Sequence, residues 1–404
     1  MEKFRGNPLL KVLYKLPLAP WLYHTVLAFV GACIYKFPAS RVFVIGVTGT
    51  KGKSTTIELI NAILEAAGKK TAILSSVRVK ISDQSKSNPF DNTMPGRFFI
   101  QQFLSEAVGA DCQYAIIEVT SQGVAFNRHL FIYWRAGIFI NLSAEHIEAH
   151  GSFEEYRQQK LKFFRYTRSL GGRIFVNKDD RNSRYFKEAA GEEVILYSKS
   201  ELPSQLAGDF NKYNIGAAAA VGQWLGINEK IIQKAIAEFP GVPGRMEFIQ
   251  KKPFVVVVDY AHTPDSLRKV YETLRAISHP EIPTKLICVL GSAGGGRDRW
   301  KRPEMGRIAS EMCDQIILTN EDPYDEHPEE IIEQIASGIH SGHIHKILDR
   351  REAIKKAISL AQSRDTVVIT GKGSERWIHL ANGQRLPWSD KETIEAVIKG
   401  YFLL

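Results

Sequence analysis

The run GVTGTKGKSTT, Gly46 to Thr56, holds the residue types a phosphate cradle needs. Glycines let backbone N–H groups turn toward phosphate oxygens. Lys53 supplies a positive charge and Ser54 a hydroxyl for Mg2+. The apolar stretch Val42–Ile45 precedes the run and a helical pattern follows it. A helix starting near Ser54 would aim its positive dipole end at the same anion. Gly49, Thr50, Lys51, Gly52, Lys53, Ser54 and Thr55 are thus the candidate nucleotide contacts. Val47 stands where the strict P-loop pattern has its first glycine. A capped turn alone would require neither Lys53 nor the Ser-Thr-Thr run.

A second constellation, EVTSQGVAFNR, starts at Glu118 at the end of the apolar stretch Tyr114–Val119. Ligands of open α/β sheets bind at that edge, and a carboxylate there can hold Mg2+ bridging ATP phosphates. In LAGDFNKYNIG, Asn211 and Asn214 are three apart and share a helical face. Their amides can both donate to and accept from an adenine edge. The glycine-rich run GSAGGGRDRWKR, with Arg297, Asp298, Lys301 and Arg302, offers backbone donors and cations to a phosphate.

Elements that could position these residues alternate along the chain. Strand-like runs at Val42–Val47, Ala72–Leu74, Tyr114–Val119, Gly137–Asn141 and Ile174–Asn177 are separated by helical patterns. A second set covers Phe254–Val258, Leu286–Leu290, Gln315–Leu318 and Thr366–Thr370. That order predicts an α/β fold with mainly parallel sheets: a central P-loop domain, then a Rossmann-like α/β domain. Phe239-Pro-Gly-Val-Pro-Gly244 is the hinge candidate between them. The expected division is 1–40, a short helical segment; 41–240, an ATP-binding domain; and 241–404, a C-terminal domain.

A length of 404 residues fits two or three domains, and 44% hydrophobic with 24% charged residues is ordinary for a soluble globular chain. The net charge of +9 suits anionic ligands or an anionic membrane surface. No Lys/Arg run with interleaved aromatics points to nucleic acid. Cys33, Cys112, Cys288 and Cys313 are scattered, which argues against structural zinc and for a reduced, cytoplasmic setting. The apolar part of residues 9–36, from Trp21 to Tyr35, is short for a membrane span. Two readings stay open: a helix packed on the next domain, or an interfacial contact with a membrane.

From about Val42 to Asp390 the chain resembles the Mur ligases, ATP-dependent amide ligases that include the peptidoglycan peptide-building enzymes and folylpolyglutamate synthase. It is most similar to the E-type branch, which adds the third residue of the stem peptide. The resemblance implies ATP, two Mg2+ sites and a carbamoylated lysine at Lys160. It implies metal ligation by Ser54, Glu118, His146 and Lys160. It makes Lys53, Glu118, His146, Lys160 and Arg245 the catalytic set. Arg245 in GVPGRME, and Asp259 and His262 in VVDYAHTPDSL, would face the nucleotide. Thr93, Ser121 and Arg128 would contact the acceptor, and Asp322, Tyr324, Gly371 and Glu375 the amino acid.

The resemblance also has departures. Gln122 stands where the family usually has His, and Glu145 replaces Asp. Diaminopimelate-selecting members carry Asp-Asn-Pro-Arg, whose Arg grips the distal carboxylate. Here the stretch is Glu321-Asp-Pro-Tyr324, followed by Asp325 and Glu326. An acidic pocket would suit a distal cation, as in lysine or ornithine. Residues 1–40 are too few for a uridine-nucleotide domain with its own core. The acceptor is thus expected to be a UDP-muramoyl-peptide or a related carboxylate, with lipid-linked and folate-type acceptors as alternatives. A non-catalytic nucleotide-binding partner is a further alternative. A monomer is expected.

Overall fold

The computed structural model describes residues 19–90, 93–145, 150–277, 284–297 and 299–401. The chain folds as two compact units. One contains the residues up to Ala144, His150–Ser204 and Lys212–Phe239; the other contains Glu145–Ala149, Gln205–Asn211 and Pro240–Leu404.

The first unit opens with α1 (Ala19–Ile34), β1 (Phe43–Thr48), α2 (Lys53–Ala66), β2 (Thr71–Leu74), β3 (Arg78–Ile81) and β4 (Gln84–Ser87). It continues with α3 (Arg97–Gly109), β5 (Tyr114–Glu118), α4 (Ser121–Ala125), β6 (Trp134–Phe139), α5 (Phe153–Ser169), β7 (Arg173–Asn177), α6 (Ser183–Ala190) and β8 (Val194–Tyr197). Then come α7 (Asp209–Trp224), whose first three residues are counted with the other unit, and α8 (Glu229–Glu238). The sheet order is β4-β3-β2-β5-β1-β6-β7-β8, parallel from β2 to β8, with β3 and β4 as an antiparallel edge.

β1 is central and buried on both faces after Phe43, which explains its unbroken apolar run. Gly46 has no side chain because the rings of Phe163 and Trp134 occupy that space, so α5 lies close on the sheet. β4 has all four residues exposed, and an exposed edge strand leaves no apolar pattern to read.

The second unit contains β9 (Glu247–Gln250), β10 (Val255–Asp259), α9 (Pro264–Ile277), β11 (Leu286–Leu290), α10 (Lys301–Met312) and β12 (Gln315–Leu318). It ends with α11 (Pro328–Ala336), β13 (His343–Lys346), α12 (Arg350–Leu360), β14 (Thr366–Thr370), β15 (Trp377–His379), β16 (Arg385–Pro387) and α13 (Asp390–Tyr401). Its sheet order is β13-β12-β11-β14-β10-β9, parallel except for β9. Two apolar layers cover it, one around Leu267, Tyr271 and Met305 and one around Ile354, Ile358 and Ile394.

Two expectations need correction. The strand expected at Gly137–Asn141 begins earlier, at Trp134, because Trp134 and Ala136 pair with β1. The cysteines are not all unpaired: Cys288 on β11 and Cys313 after α10 form a disulfide, with Cα atoms 6.2 Å apart. Both lie in the apolar layer between α10 and this face of the sheet, where the end of α10 meets β11.

Candidate active site

The glycine-rich run leaves the C-terminal end of β1 and enters α2 at Lys53, with Gly52 at a φ of 84° as the cap. Gly52 suits this left-handed position, and the Asn214 side chain fills the place of its Cβ. Asn214 Oδ1 also accepts a hydrogen bond from Thr56 Oγ1 at 3.3 Å. Asn214 is therefore a brace of the loop. Asn141, beyond β6, is a second brace: its Oδ1 accepts from Thr50 N (3.1 Å) and Lys51 N (2.9 Å), and its Nδ2 donates to Lys51 O (3.1 Å).

Glu118 ends β5, beside β1, and is buried. Its Oε2 accepts from Ser54 Oγ at 3.1 Å and Ser76 N at 3.0 Å. Its Oε1 lies 3.8 Å from Lys53 Nζ, which also donates to Thr50 O at 2.9 Å. A hydroxyl, a carboxylate and an ammonium thus converge at the carboxyl edge of the sheet. Ser54 Oγ and Glu118 are hard oxygen donors of the kind Mg2+ takes, and two protein ligands are typical when phosphates and water complete the shell.

Lys160, one more surface lysine by sequence alone, is buried on α5. Its Nζ donates to Gly49 O at 3.0 Å and Thr48 Oγ1 at 3.2 Å, directly under the loop. Tyr156, one turn earlier, reaches Thr50 Oγ1 at 3.1 Å. His146 lies outside the described residues. Among the described residues no three His, Cys, Asp or Glu side chains form a metal-binding cluster.

On the neighbouring side of this unit, Ser121 Oγ lies 3.0 Å from His150 Nε2. Burial, and then the nearby Lys160, lower the pKa of His150. Arg128 donates to Met94 O, next to Thr93, and Arg97 donates to Phe126 O at 2.7 Å. Burial first and Arg97 second bring the Arg128 pKa down to about 10.

In the second unit the assigned residues form a chain of contacts. The Arg245 guanidinium lies 3.9 Å from the Tyr260 ring centre, and Tyr260 OH donates to Glu375 Oε1 at 2.8 Å. Lys372 is buried and bridges Glu375 Oε2 (2.6 Å) and Asp322 Oδ1 (2.7 Å). Burial opposes the Lys372 charge, yet Glu375 and Asp322 hold its pKa above the ordinary value. Tyr324, at a φ of 51°, stacks on His379 with ring centres 5.1 Å apart and accepts a 3.2 Å bond from Arg297 Nη2.

Asp259 accepts from Met246 N (2.8 Å) and Ala261 N (2.7 Å), so its carboxylate shapes the turn. His262 Nδ1 meets Tyr260 O at 2.8 Å, and Lys301 donates to His262 O at 3.0 Å. Asn211 donates to Ala207 O at 2.6 Å. Gly371 leaves room for Glu321, whose carboxylate would collide with any Cβ there.

In the fold the acidic residues of this segment are each engaged by a partner or buried. Asp322 is neutralised by Lys372 and also accepts from His379 N at 2.9 Å. Asp325 caps Asn382 N at 2.8 Å, and Glu326 pairs with Arg299 and Arg302. Burial, and then Asp322, push the Glu321 carboxyl up to about 7. The cation left beside Tyr324 is Arg297, from the glycine-rich loop after β11. Sequence reading placed Arg297 only near a phosphate.

Residues 47–204 match the Mur ligase middle domain, and residues 244–373 match the Mur ligase glutamate ligase domain. The UDP-N-acetylmuramoyl-L-alanyl-D-glutamate--2,6-diaminopimelate ligase of Aquifex aeolicus is 35% identical over 90% of this chain and 79% of its own length. The chain belongs to the Mur ligase family. The Synechocystis ligase of the same name is 35% identical over 93% of this chain and 80% of its own. A solved structure of a ligase of that name superposes with a TM-score of 0.60 at 28% identity, covering 89% of this chain and 79% of that one. A Mycobacterium tuberculosis folylpolyglutamate synthase complexed with ADP shares the fold alone, with a TM-score of 0.66 at 17% identity over 87% of this chain and 92% of that one. This Mur ligase is an ATP-dependent peptide ligase of peptidoglycan stem-peptide synthesis. Mur ligases use ATP and Mg2+.

Proposed function

We propose that this Mur ligase joins an amino acid to the terminal carboxylate of a UDP-muramoyl-dipeptide or a closely related acceptor. The observation that carries the reading is the convergence of Lys53, Ser54 and Glu118 at the adjacent ends of β1 and β5. The acceptor carboxylate attacks the γ-phosphorus of ATP, giving an acyl phosphate and ADP. The amine then attacks the carbonyl carbon, loses a proton, and phosphate leaves. Lys53 and the loop N–H groups hold the transferring phosphoryl group, which is positioning and charge stabilisation more than bond chemistry. Ser54 and Glu118 would hold Mg2+, which supplies charge neutralisation to the phosphates. Lys160 and His146 would serve a second Mg2+, with Lys160 as its carbamate. The burial of Lys160 under the loop supports its belonging to the site.

Ser121 and Arg128, with Thr93, are assigned to the acceptor. Arg245, Asp259, His262 and Asn211 are assigned to the nucleotide, with Asn214 holding the loop. Asp322, Tyr324, Gly371 and Glu375 are assigned to the amino acid, and Arg297 joins them. Glu375 would accept the ammonium. With its acidic neighbours already paired, the Arg297–Tyr324 corner favours an amino acid with a distal carboxylate over one with a distal cation. We assign residues 1–40, 41–240 and 241–404 to the amino-terminal, ATP-binding and carboxyl-terminal parts of a cytoplasmic monomer.

Phosphate release from ATP and Mg2+ tests this reading, measured with diaminopimelate, lysine and ornithine, with and without UDP-N-acetylmuramoyl-alanyl-glutamate. Release should require that acceptor together with diaminopimelate, and the product mass should match. Release with lysine alone of the three would reject the distal-carboxylate assignment. Indifference to the UDP-linked acceptor would reject the acceptor.

A further inference from the structure

α1 has sixteen residues, none of them charged. His24, Ala28, Gly31 and Ala32 face inward. Asn127 Nδ2 donates to Thr25 Oγ1 at 2.8 Å, and Arg97 Nη2 meets His24 Nδ1 at 2.6 Å. Gly31 packs on Phe98 at the start of α3. These contacts fix the helix on the first unit and determine which side turns outward. That outer side carries Trp21, Leu22, Val26, Phe29, Val30 and Ile34, and Leu22 and Ile34 are 55% and 59% exposed. Their spacing at three and four residues forms one stripe, which Phe98 borders. A helix built only for packing would put polar residues there.

The charge pattern identifies what the stripe fits. Between Glu2 and Glu58 the chain has no acidic residue, while Lys3, Arg5, Lys11, Lys15, Lys36 and Arg41 fall within that stretch. No described helix is long and apolar enough to cross a membrane. An apolar stripe with cations before and after it, and no acids, matches an anionic lipid surface. We propose that α1 seats this ligase on such a surface, with the stripe entering the headgroup region and the exposed Lys36 and Arg41 beyond its end meeting the lipid phosphates. The inner face of the same helix holds Arg97, so the seat would bring the Thr93–Arg97 and Arg128 region close to the bilayer. This inference does not depend on which acceptor or amino acid the enzyme uses.

The test is co-sedimentation of the full chain with vesicles of phosphatidylglycerol and phosphatidylcholine, against phosphatidylcholine alone. Binding should be at least about tenfold stronger to the anionic vesicles and weaken as salt rises. Combined Leu22→Ser, Val26→Ser and Ile34→Ser should lower binding roughly tenfold or more, with the melting temperature and ATP-dependent turnover retained. These side chains are exposed, so the variant should fold. Lys36→Glu with Arg41→Glu should abolish the preference for anionic vesicles. Equal binding to both vesicle types, or no binding to either, would overturn the proposal. So would a dimer in sedimentation analysis that the triple variant dissociates, since the stripe would then be a self-interface.

Discussion

The loop after β1 in the first unit and the segment Glu321–Glu326 in the second are both dense in charge, and they build charge differently. Around the first loop the Glu118 carboxylate receives a hydroxyl, a backbone N–H and a nearby ammonium. The loop's form is held by the side chains of Asn141 and Lys160 on its backbone and by Asn214, which packs on Gly52 and bonds Thr56 Oγ1. In the second unit four acidic residues lie within six positions, and each has a separate fate: Asp322 is paired, Asp325 caps a turn, Glu326 joins two arginines, and Glu321 is buried. The first region draws its chemistry from backbone shape, which residue order specifies. The second depends on which charges cancel, and only packing decides that.

The comparison breaks most sharply at Lys53. Lys53→Ala should lower ATP-dependent ligation by on the order of 10²–10³, because a cation on the transferring phosphoryl group is lost while the bracing contacts remain. Steady-state phosphate release, with a melting curve as a folding control, measures it. Turnover within a few-fold of wild type would show that the loop backbone suffices and would remove Lys53 from the catalytic set.

The same contrast explains what was legible in the sequence. The central strands β1, β5, β11, β12 and β14 were readable because burial on both faces makes them continuous apolar runs. β4 and β13 lie at sheet edges with mostly exposed polar residues, so neither burial nor periodicity marked them. Gly52, Lys53, Ser54 and Glu118 were found as motif positions, and the fold brings the last three together. The bracing roles of Asn141 and Asn214 were not readable, since they join residues far apart in the chain. The position of Arg297 beside Tyr324 was hidden for the same reason, and its only sequence signal was a cation in a glycine-rich loop. The pairing of Cys288 with Cys313 likewise required the packing of the end of α10 on β11.

Lys372 sharpens the contrast at the level of stability. Its side chain is fully buried between Asp322 and Glu375. Lys372→Met keeps much of the volume but leaves the Asp322 carboxylate buried without its cation. A loss of about 3–5 kcal/mol is expected, as for other broken buried pairs. Urea unfolding monitored in the second unit measures it. A second substitution, Asp322→Asn, should restore part of the loss, because the uncompensated charge is then gone. A single-variant cost below about 1 kcal/mol would mean that water reaches the pair and that the carboxylates face solvent.

The smallest effect is a pH dependence at Glu321. The residue is 4% exposed, and its Oε2 is buried without a hydrogen-bond partner. Burial, followed by Asp322, pushes its carboxyl up to about 7, against about 4.3 for an unfolded glutamate. A raised pKa means the folded state holds the proton more tightly than the unfolded state. The stabilising contribution is therefore complete below about pH 4.3 and disappears as pH rises through about 7. The full swing is on the order of 3 kcal/mol. Glu321→Gln has no proton to lose there. Wild type should accordingly lose stability relative to the variant from roughly pH 4 to somewhat above pH 7, with the two curves parallel beyond that range. Parallel curves throughout would mean that Lys372, Lys301 and Arg350 keep Glu321 ionised in the fold. In that case the segment would carry a net negative charge after all, and a distal cation on the amino acid would again be the better fit.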